Sequence, residues 1–274
     1  MAYNKEVKIM AGSFLKRVVK YKQIEVEKAK KRMPFEKLLD VIIKLPPVRN
    51  FRDALYRSQR ISLIAEIKKK NPSQPSWKPR IQLKKLIESY LKGGAFAISV
   101  VTDEKYFGGK LNLIAEIKKT ARLPILRKDF IIDPYQVYES RAAQADALLL
   151  IAELLPQKEL GRFIELTSGM GMTPVVEVNN TTDLKRAVRL GADVVLINNR
   201  NLNTLKVDTK LVDLVAKAEP RDTMVIAASG YKTPEEVAAI TSNRVKAVLI
   251  GRTLIGHKKP AEYIREILVK AEKL

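Results

Sequence analysis

The rhythm of apolar and polar positions along this chain changes near residue 49. Over residues 5–44, Val19, Ile24, Val26, Phe35, Leu38, Leu39, Val41, Ile42 and Ile43 sit among lysines and glutamates at helical spacing, with Met33-Pro34 interrupting them. That pattern predicts one or two amphipathic helices broken at the proline, whose ring clashes with the preceding turn and which has no N–H to donate. Beyond residue 49 there are eight short apolar runs, at 62–67, 95–101, 124–128, 147–151, 173–178, 194–198, 223–228 and 245–250. Consecutive runs start between 21 residues (173 to 194) and 33 residues (62 to 95) apart, which leaves room for a loop, a helix and a return loop. Helix starts are recognisable at Asp133-Pro134, Pro156, Thr181-Thr182-Asp183 and Thr233-Pro234-Glu235, and Gly191-Ala192-Asp193 supplies a stop. Apolar strands alternating with helices predict an α/β protein with a parallel sheet covered by helices, and eight units close a (βα)8 barrel. The alternative, a doubly wound open sheet, would usually carry a Gly-rich turn after its first strand, but Glu66-Ile67-Lys68-Lys69-Lys70 has no glycine. The expected organisation is one structural domain, with a helical extension over residues 1–48 packed on a barrel over residues 49–274.

Composition narrows the chemistry. With 46% hydrophobic residues in 274, the chain has material for a large core and is not a disordered protein. Cysteine is absent and His257 is the single histidine, so disulfides, zinc sites, thiol nucleophiles and Ser-His-Asp triads drop out, while a carboxylate magnesium site stays open. No apolar run approaches the ~20 residues that span a bilayer and no secretion-type segment opens the chain, so a cytoplasmic location is expected, with no membrane partner. Fifty-one basic against thirty acidic residues give +21, which on charge alone makes a nucleic-acid or membrane surface the first partner to consider and anionic small substrates the second. Residues 1–44 hold twelve basic and five acidic residues, so the excess is only mildly concentrated. No basic tract beyond Lys30-Lys31-Arg32 and Lys68-Lys69-Lys70, and no nucleic-acid-binding motif, accompanies it, so no specific nucleic-acid partner is expected.

In a (βα)8 barrel the functional groups lie at the C-terminal ends of the strands. Polar or aromatic pairs stand there at a spacing of two: Glu66 and Lys68, Lys128 and Phe130, Glu177 and Asn179, Asn198 and Arg200. A period of two keeps both members on one side of a strand, so the four pairs can converge above the barrel axis. Lys68 and Lys128 read as site residues; Glu66 and Glu177 read either as catalytic groups or as their counter-ions. Lys69 and Arg127 read as solvated edge charges, and His257 as a surface or cap residue. Ser229-Gly230 and Gly251-Arg252 follow the seventh and eighth runs, where barrel enzymes bind phosphate through backbone N–H groups and a short helix N-terminus.

Several stretches carry a resemblance. Ile64-Ala65-Glu66-Ile67-Lys68-Lys69-Lys70-Asn71-Pro72-Ser73, Ser99-Val100-Val101-Thr102-Asp103-Glu104-Lys105-Tyr106-Phe107, Pro124-Ile125-Leu126-Arg127-Lys128-Asp129-Phe130, Pro174-Val175-Val176-Glu177-Val178-Asn179 and Ile197-Asn198-Asn199-Arg200-Asn201-Leu202 resemble the indole-3-glycerol-phosphate synthase family of tryptophan biosynthesis. The similarity runs in order from about Lys5 to the end and takes in Pro46-Pro47-Val48-Arg49-Asn50-Phe51. It implies a carboxy-lyase that closes 1-(2-carboxyphenylamino)-1-deoxyribulose 5-phosphate to indole-3-glycerol phosphate with loss of CO2 and water. The resemblance implies no organic cofactor, and the expected assembly is a monomer or weak homo-oligomer. By the same resemblance Lys128 is the general acid at the ketone oxygen, Lys68 pairs with the anthranilate carboxylate and takes part in proton transfer, and Glu177 is the acid/base of the dehydration. Glu66 orients the lysines, while Asn198 and Arg200 hold the substrate hydroxyl. Phe107, Phe130, Leu149 and Leu202 grip the aromatic ring, Asn71 and Ser73 contribute to substrate binding, and Lys70, Ser229, Gly230, Gly251 and Arg252 meet the phosphate.

The chain also departs from the family pattern. Ala228-Ser229-Gly230 stands where Glu-Ser-Gly is usual, Asn71-Pro72-Ser73 where Ser-Pro-Ser is usual, and Arg252 where a small or acidic residue is more common. Two other readings therefore stay open: a diverged paralogue that handles or binds a different phosphorylated carboxylate, and a basic nucleic-acid-binding barrel protein.

Overall fold

The computed structural model describes residues 13–58, 61–72, 74, 76–218, 223–240 and 244–272. Strands β1 (Ser62–Ile67), β2 (Ala97–Val101), β3 (Ile125–Lys128), β4 (Ala147–Ile151), β5 (Thr173–Val178), β6 (Val194–Asn198), β7 (Met224–Ala228) and β8 (Val245–Ile250) each pair in parallel with the next. β8 returns to β1 with Ser62 opposite Ala247 and Ala65 opposite Ile250, closing the barrel. The eight apolar runs are thus eight strands, and the open-sheet alternative is excluded. Every residue of β1, β2, β4, β6 and β7 is buried, because one face fills the barrel axis and the other lies under the helices.

Strand starts shift from the expected positions for local reasons. β2 begins at Ala97 rather than residue 95 because the Ala95 N–H is spent on the Tyr90 carbonyl at 3.0 Å, closing the preceding helix, Leu83–Gly93. β3 begins at Ile125 because Pro124 has no N–H; its carbonyl still accepts from Ile98 at 3.0 Å. Asp133 and Thr233 form capping boxes with Gln136 and Glu236 at the expected helix starts. At the third start the cap is Asn180, one residue ahead of Thr181, accepting from the Asp183 N–H.

The amino-terminal pattern resolves into α1 (Ser13–Arg32) and α2 (Phe35–Ile42), separated at Met33-Pro34; the part of that stretch before Ser13 lies outside the described residues. Leu15, Val18 and Val19 of α1 enter the main core, and Val26 packs with Leu38 of α2 and Tyr135. Tyr135 Oη lies 3.0 Å from the Ala29 carbonyl and 2.8 Å from that of Met33, so carbonyls at the end of α1 find a partner on the barrel's outer layer. Among the described residues no helix is long and apolar enough to cross a membrane.

Candidate active site

The C-terminal ends of the strands enclose a cavity of about 800 Å³. Glu66, Lys68, Lys128, Phe130, Glu177, Asn198 and Arg200 all line it, so seven of the eight paired positions converge as their two-residue spacing requires. The eighth, Asn179, lies in a small side cleft with Glu153 and Asp183, where its neighbour Asn180 caps the next helix.

Two ion pairs organise the floor. Lys68, just past β1, donates to Glu66 Oε1. Lys128, the last residue of β3, places Nζ 3.3 Å from Glu177 Oε2 on β5. Asn198 on β6 donates through Nδ2 to the other oxygen of Glu177, Oε1, at 2.8 Å, and its own Oδ1 accepts from the Arg200 N–H at 3.0 Å. Burial works against the Lys128 ammonium, but the Glu177 and Glu66 carboxylates outweigh it and hold its pKa above the ordinary lysine value. Burial likewise disfavours the Glu66 carboxylate, yet Lys68, Lys128 and Arg200 together hold its pKa below the usual range. Both groups are therefore charged at neutral pH, an acid and an anion kept apart in protonation state by their neighbours.

On one wall, Phe107 and Phe130 tilt against each other with ring centroids 6.2 Å apart, and Leu149 and Leu202 also line the cavity. On the other, Ser229 and Gly230 leave β7 with φ of 69° and 101°, and Gly251 caps the short helix Arg252–Gly256 after β8. Gly230 has no room for a side chain: a Cβ would come within 2.9 Å of Val207 Cγ1 and closer still to Thr209. Gly251 is equally constrained, since a Cβ would collide with Glu66 Oε1 and come within 3.0 Å of Glu66 Cβ and Cδ. Burial, and then the neighbouring Arg252 cation, lower the Arg200 pKa against the pull of Glu66. Two guanidiniums that repel each other across a cavity favour an anion beside them.

The family model described as indole-3-glycerol phosphate synthase matches residues 15–267. The chain belongs to the indole-3-glycerol phosphate synthase family. It is 41% identical over 229 residues to the indole-3-glycerol phosphate synthase of Desulforamulus reducens, covering 83% of this chain and 86% of that one. It is 38% identical over 241 residues to that of Caldanaerobacter subterraneus subsp. tengcongensis, covering 88% and 93%. Among solved structures, 3-hexulose-6-phosphate synthase from Salmonella typhimurium superposes with a TM-score of 0.63 at 12% identity, over 78% of this chain and 99% of that one. Thiamine phosphate pyrophosphorylase from Pyrococcus furiosus gives 0.59 at 15% identity, over 80% and 98%. At those identities the likeness is one of barrel fold alone.

Of the remaining positions carried over from indole-3-glycerol phosphate synthases, Asn71 lines the cavity, and Ser73 lies outside the described residues. Lys70 is exposed and stands outside the cavity lining, with its side chain beside Gly108 and its N–H on the Phe107 carbonyl. Arg252 reaches Gln74 Oε1 at 3.1 Å. Lys69 is exposed and His257 is a surface residue stacked on Tyr263, both as expected. Arg127 is not the solvated edge charge that its position suggested. It is 2% exposed and pairs with Asp129 at 3.1 Å and Glu139 at 2.9 Å, because alternation along β3 turns it outward, beneath the helix Pro134–Ala142.

Several lining residues carried no strand-end signal. Phe14 reaches the cavity from α1, and Asp103, Thr209, Lys232 and Glu236 reach it from the loops and helix starts around the mouth. Most unexpected is Lys22, a fully buried lysine on α1 paired with Asp103 and Asp129. Its signal was present: Leu15, Val18, Val19, Lys22 and Val26 fall on one helical stripe, so Lys22 is the one charge in an apolar register.

Proposed function

We propose that this chain closes 1-(2-carboxyphenylamino)-1-deoxyribulose 5-phosphate to indole-3-glycerol phosphate, with Lys128 as the acid of the first step. The observation that carries the reading is the Lys128–Glu177–Asn198 chain, which presents an ammonium and a fixed carboxylate to a cavity with an aromatic wall and a cationic wall. The aromatic ring lies against Phe107 and Phe130, with Leu149 and Leu202, and its carboxylate meets Lys68. The ring carbon that bears the carboxylate attacks the ketone carbon, and Lys128 delivers a proton to the oxygen as that bond forms, stabilising the developing alkoxide. Loss of CO2 restores the electron pair to the ring. Glu177, held by Asn198, then takes the proton lost from the carbon next to the one that bears the new hydroxyl and delivers it to that hydroxyl, which departs as water as the ring double bond forms, and Glu66 keeps Lys68 in place. Asn198 and Arg200 orient the sugar hydroxyls, and the phosphate sits at Ser229, Gly230 and Gly251 within reach of Arg252.

The test is incubation of the purified protein with that substrate while indole fluorescence is followed. Product above the uncatalysed rate is expected. Phosphate and carboxylate binding without product would instead favour a diverged relative that retains the pocket and not the reaction.

A further inference from the structure

Lys22 lies on α1, outside the barrel, and is 0% exposed. Its Nζ is 3.2 Å from Asp103 Oδ2, 2.9 Å from Asp129 Oδ1 and 2.9 Å from Glu25 Oε1. Asp103 follows β2 and Asp129 follows β3, so a single ammonium spans the exits of two neighbouring strands. What each aspartate does with its remaining capacity is the decisive point. Asp103 Oδ1 accepts the N–H groups of Tyr106 and Phe107, at 2.7 and 3.2 Å, capping the short helix Glu104–Phe107. Asp129 Oδ1 accepts the Phe130 N–H at 2.8 Å, and its Oδ2 accepts from Thr102 at 2.6 Å. The two phenylalanines whose rings face each other at 6.2 Å are therefore each held by the backbone to one of the two carboxylates that Lys22 joins. Asp129 is also the residue after Lys128.

We infer that Lys22 is a positioning residue that sets the spacing of the Phe107–Phe130 slot and, through Asp129, the seat of Lys128. The inference rests on the proposed reading of that slot as the site of the substrate's aromatic ring. Two buried carboxylates repel each other unless a cation stands between them; Arg127 also pairs with Asp129 at 3.1 Å, so Asp103 is the carboxylate that loss of Lys22 strips of its cation, at a cost. Without Lys22 the tie between the two carboxylates is lost, the Thr102–Asp129 hydrogen bond at 2.6 Å remains, and the slot widens or shifts. Among the described residues the turn proposed for the phosphate after β7 and β8 shares no hydrogen bond or ion pair with this network, so it should be indifferent to the change.

The experiment compares wild type, Lys22→Met and the charge-balanced pair Lys22→Met with Asp103→Asn. An asparagine at that position keeps an oxygen for the Tyr106 and Phe107 N–H groups while removing the unpaired charge, so the pair stays informative if Lys22→Met alone does not fold. Two ligands are titrated: indole-3-glycerol phosphate, which fills both slot and phosphate turn, and inorganic phosphate, which fills the turn alone. Both variants are expected to weaken indole-3-glycerol phosphate on the order of 10-fold, as displaced positioning groups do, and to leave inorganic phosphate within about twofold. A folded variant that binds indole-3-glycerol phosphate as wild type does, or loses both ligands in parallel, would overturn the assignment. Wild type that binds neither turns the failure back on the proposed function, and wild-type binding with unaffected variants sinks the positioning role alone.

Discussion

Asn198 Nδ2 lies 2.8 Å from Glu177 Oε1, so the strand next to β5 fixes the carboxylate whose other oxygen faces the Lys128 ammonium. The amide cannot transfer a proton usefully; it chooses which oxygen remains for Lys128. Replacing Asn198 with Ala frees Glu177 to rotate and also strips the Arg200 N–H of its acceptor. Loss of a hydrogen bond to a charged group costs ~1.5–3 kcal/mol, so kcat should fall roughly 10- to 100-fold in steady-state assays. An unchanged kcat would remove Asn198 from that role.

Lys128→Met should abolish turnover while leaving the fold intact, since the methionine keeps the volume of the side chain and removes its proton. Retention of more than about a tenth of the wild-type rate would show that another group protonates the ketone oxygen. Circular dichroism of the variant checks that the loss is chemical.

Stability should fall on acidification in a defined window. Burial disfavours the Asp129 and Glu66 carboxylates, but Lys22 and Arg127 beside the first, and Lys68 and Lys128 beside the second, hold both pKa values below ordinary. A depressed carboxylate contributes stability that is present above its unfolded pKa, about 4, and is lost as pH falls through the folded value. The melting temperature should therefore drop below about pH 4. Asp129→Asn should lower it at pH 7 and make the acid fall shallower; equal slopes for variant and wild type would contradict the linkage.

Legibility in the sequence followed burial geometry. The strands could be read because both faces of a parallel barrel strand are apolar, and their polar ends could be read because a period of two commits alternate residues to the mouth. Arg127 departs from its expected place through the same alternation that brings Lys128 to the site: Lys128 faces in and Arg127 out, and the outward face of a barrel strand lies under a helix. Asn179 shares the spacing but sits beside Asn180, where a helix cap takes over the backbone. Lys22 was hidden because its partners lie some 80 and 107 residues away (22 to 103 and 22 to 129), and only its place in an apolar stripe marks it.

Gly251 gives a sharp steric prediction. Any Cβ there meets the Glu66 carboxylate, which cannot retreat without leaving Lys68 and the floor of the site. Gly251→Ala should therefore cost activity by displacing Glu66, even though alanine barely alters the turn proposed for the phosphate. A 10-fold or larger loss in kcat/KM, with inorganic phosphate binding nearly unchanged, is the expected pattern. If phosphate binding alone suffers, Gly251 serves the anion and not Glu66.

Ala228 is the sharpest departure from the family pattern, and the structure shows where a carboxylate in its place would arrive. The residue ends β7, is 2% exposed, lines the cavity, and stands in register with Asn198 on β6 and Leu249 on β8. A glutamate there extends into a space that also receives Lys68, Lys128 and Arg200, so it would be ionised and held by charge-assisted hydrogen bonds. Those cations now share Glu66 and Glu177 between them. If the reaction proceeds as proposed, Ala228→Glu adds an acceptor for the substrate and an anchor for a lysine, and kcat/KM should rise about 10-fold or more, matching ~1.5–3 kcal/mol for such a bond. If Arg200 and Arg252 have instead been set for a ligand that occupies the space left by the missing carboxylate, the new side chain excludes that ligand and kcat/KM stays level or falls. Steady-state assays of wild type and Ala228→Glu side by side separate a site that lacks one anchor from a site rebuilt around its absence.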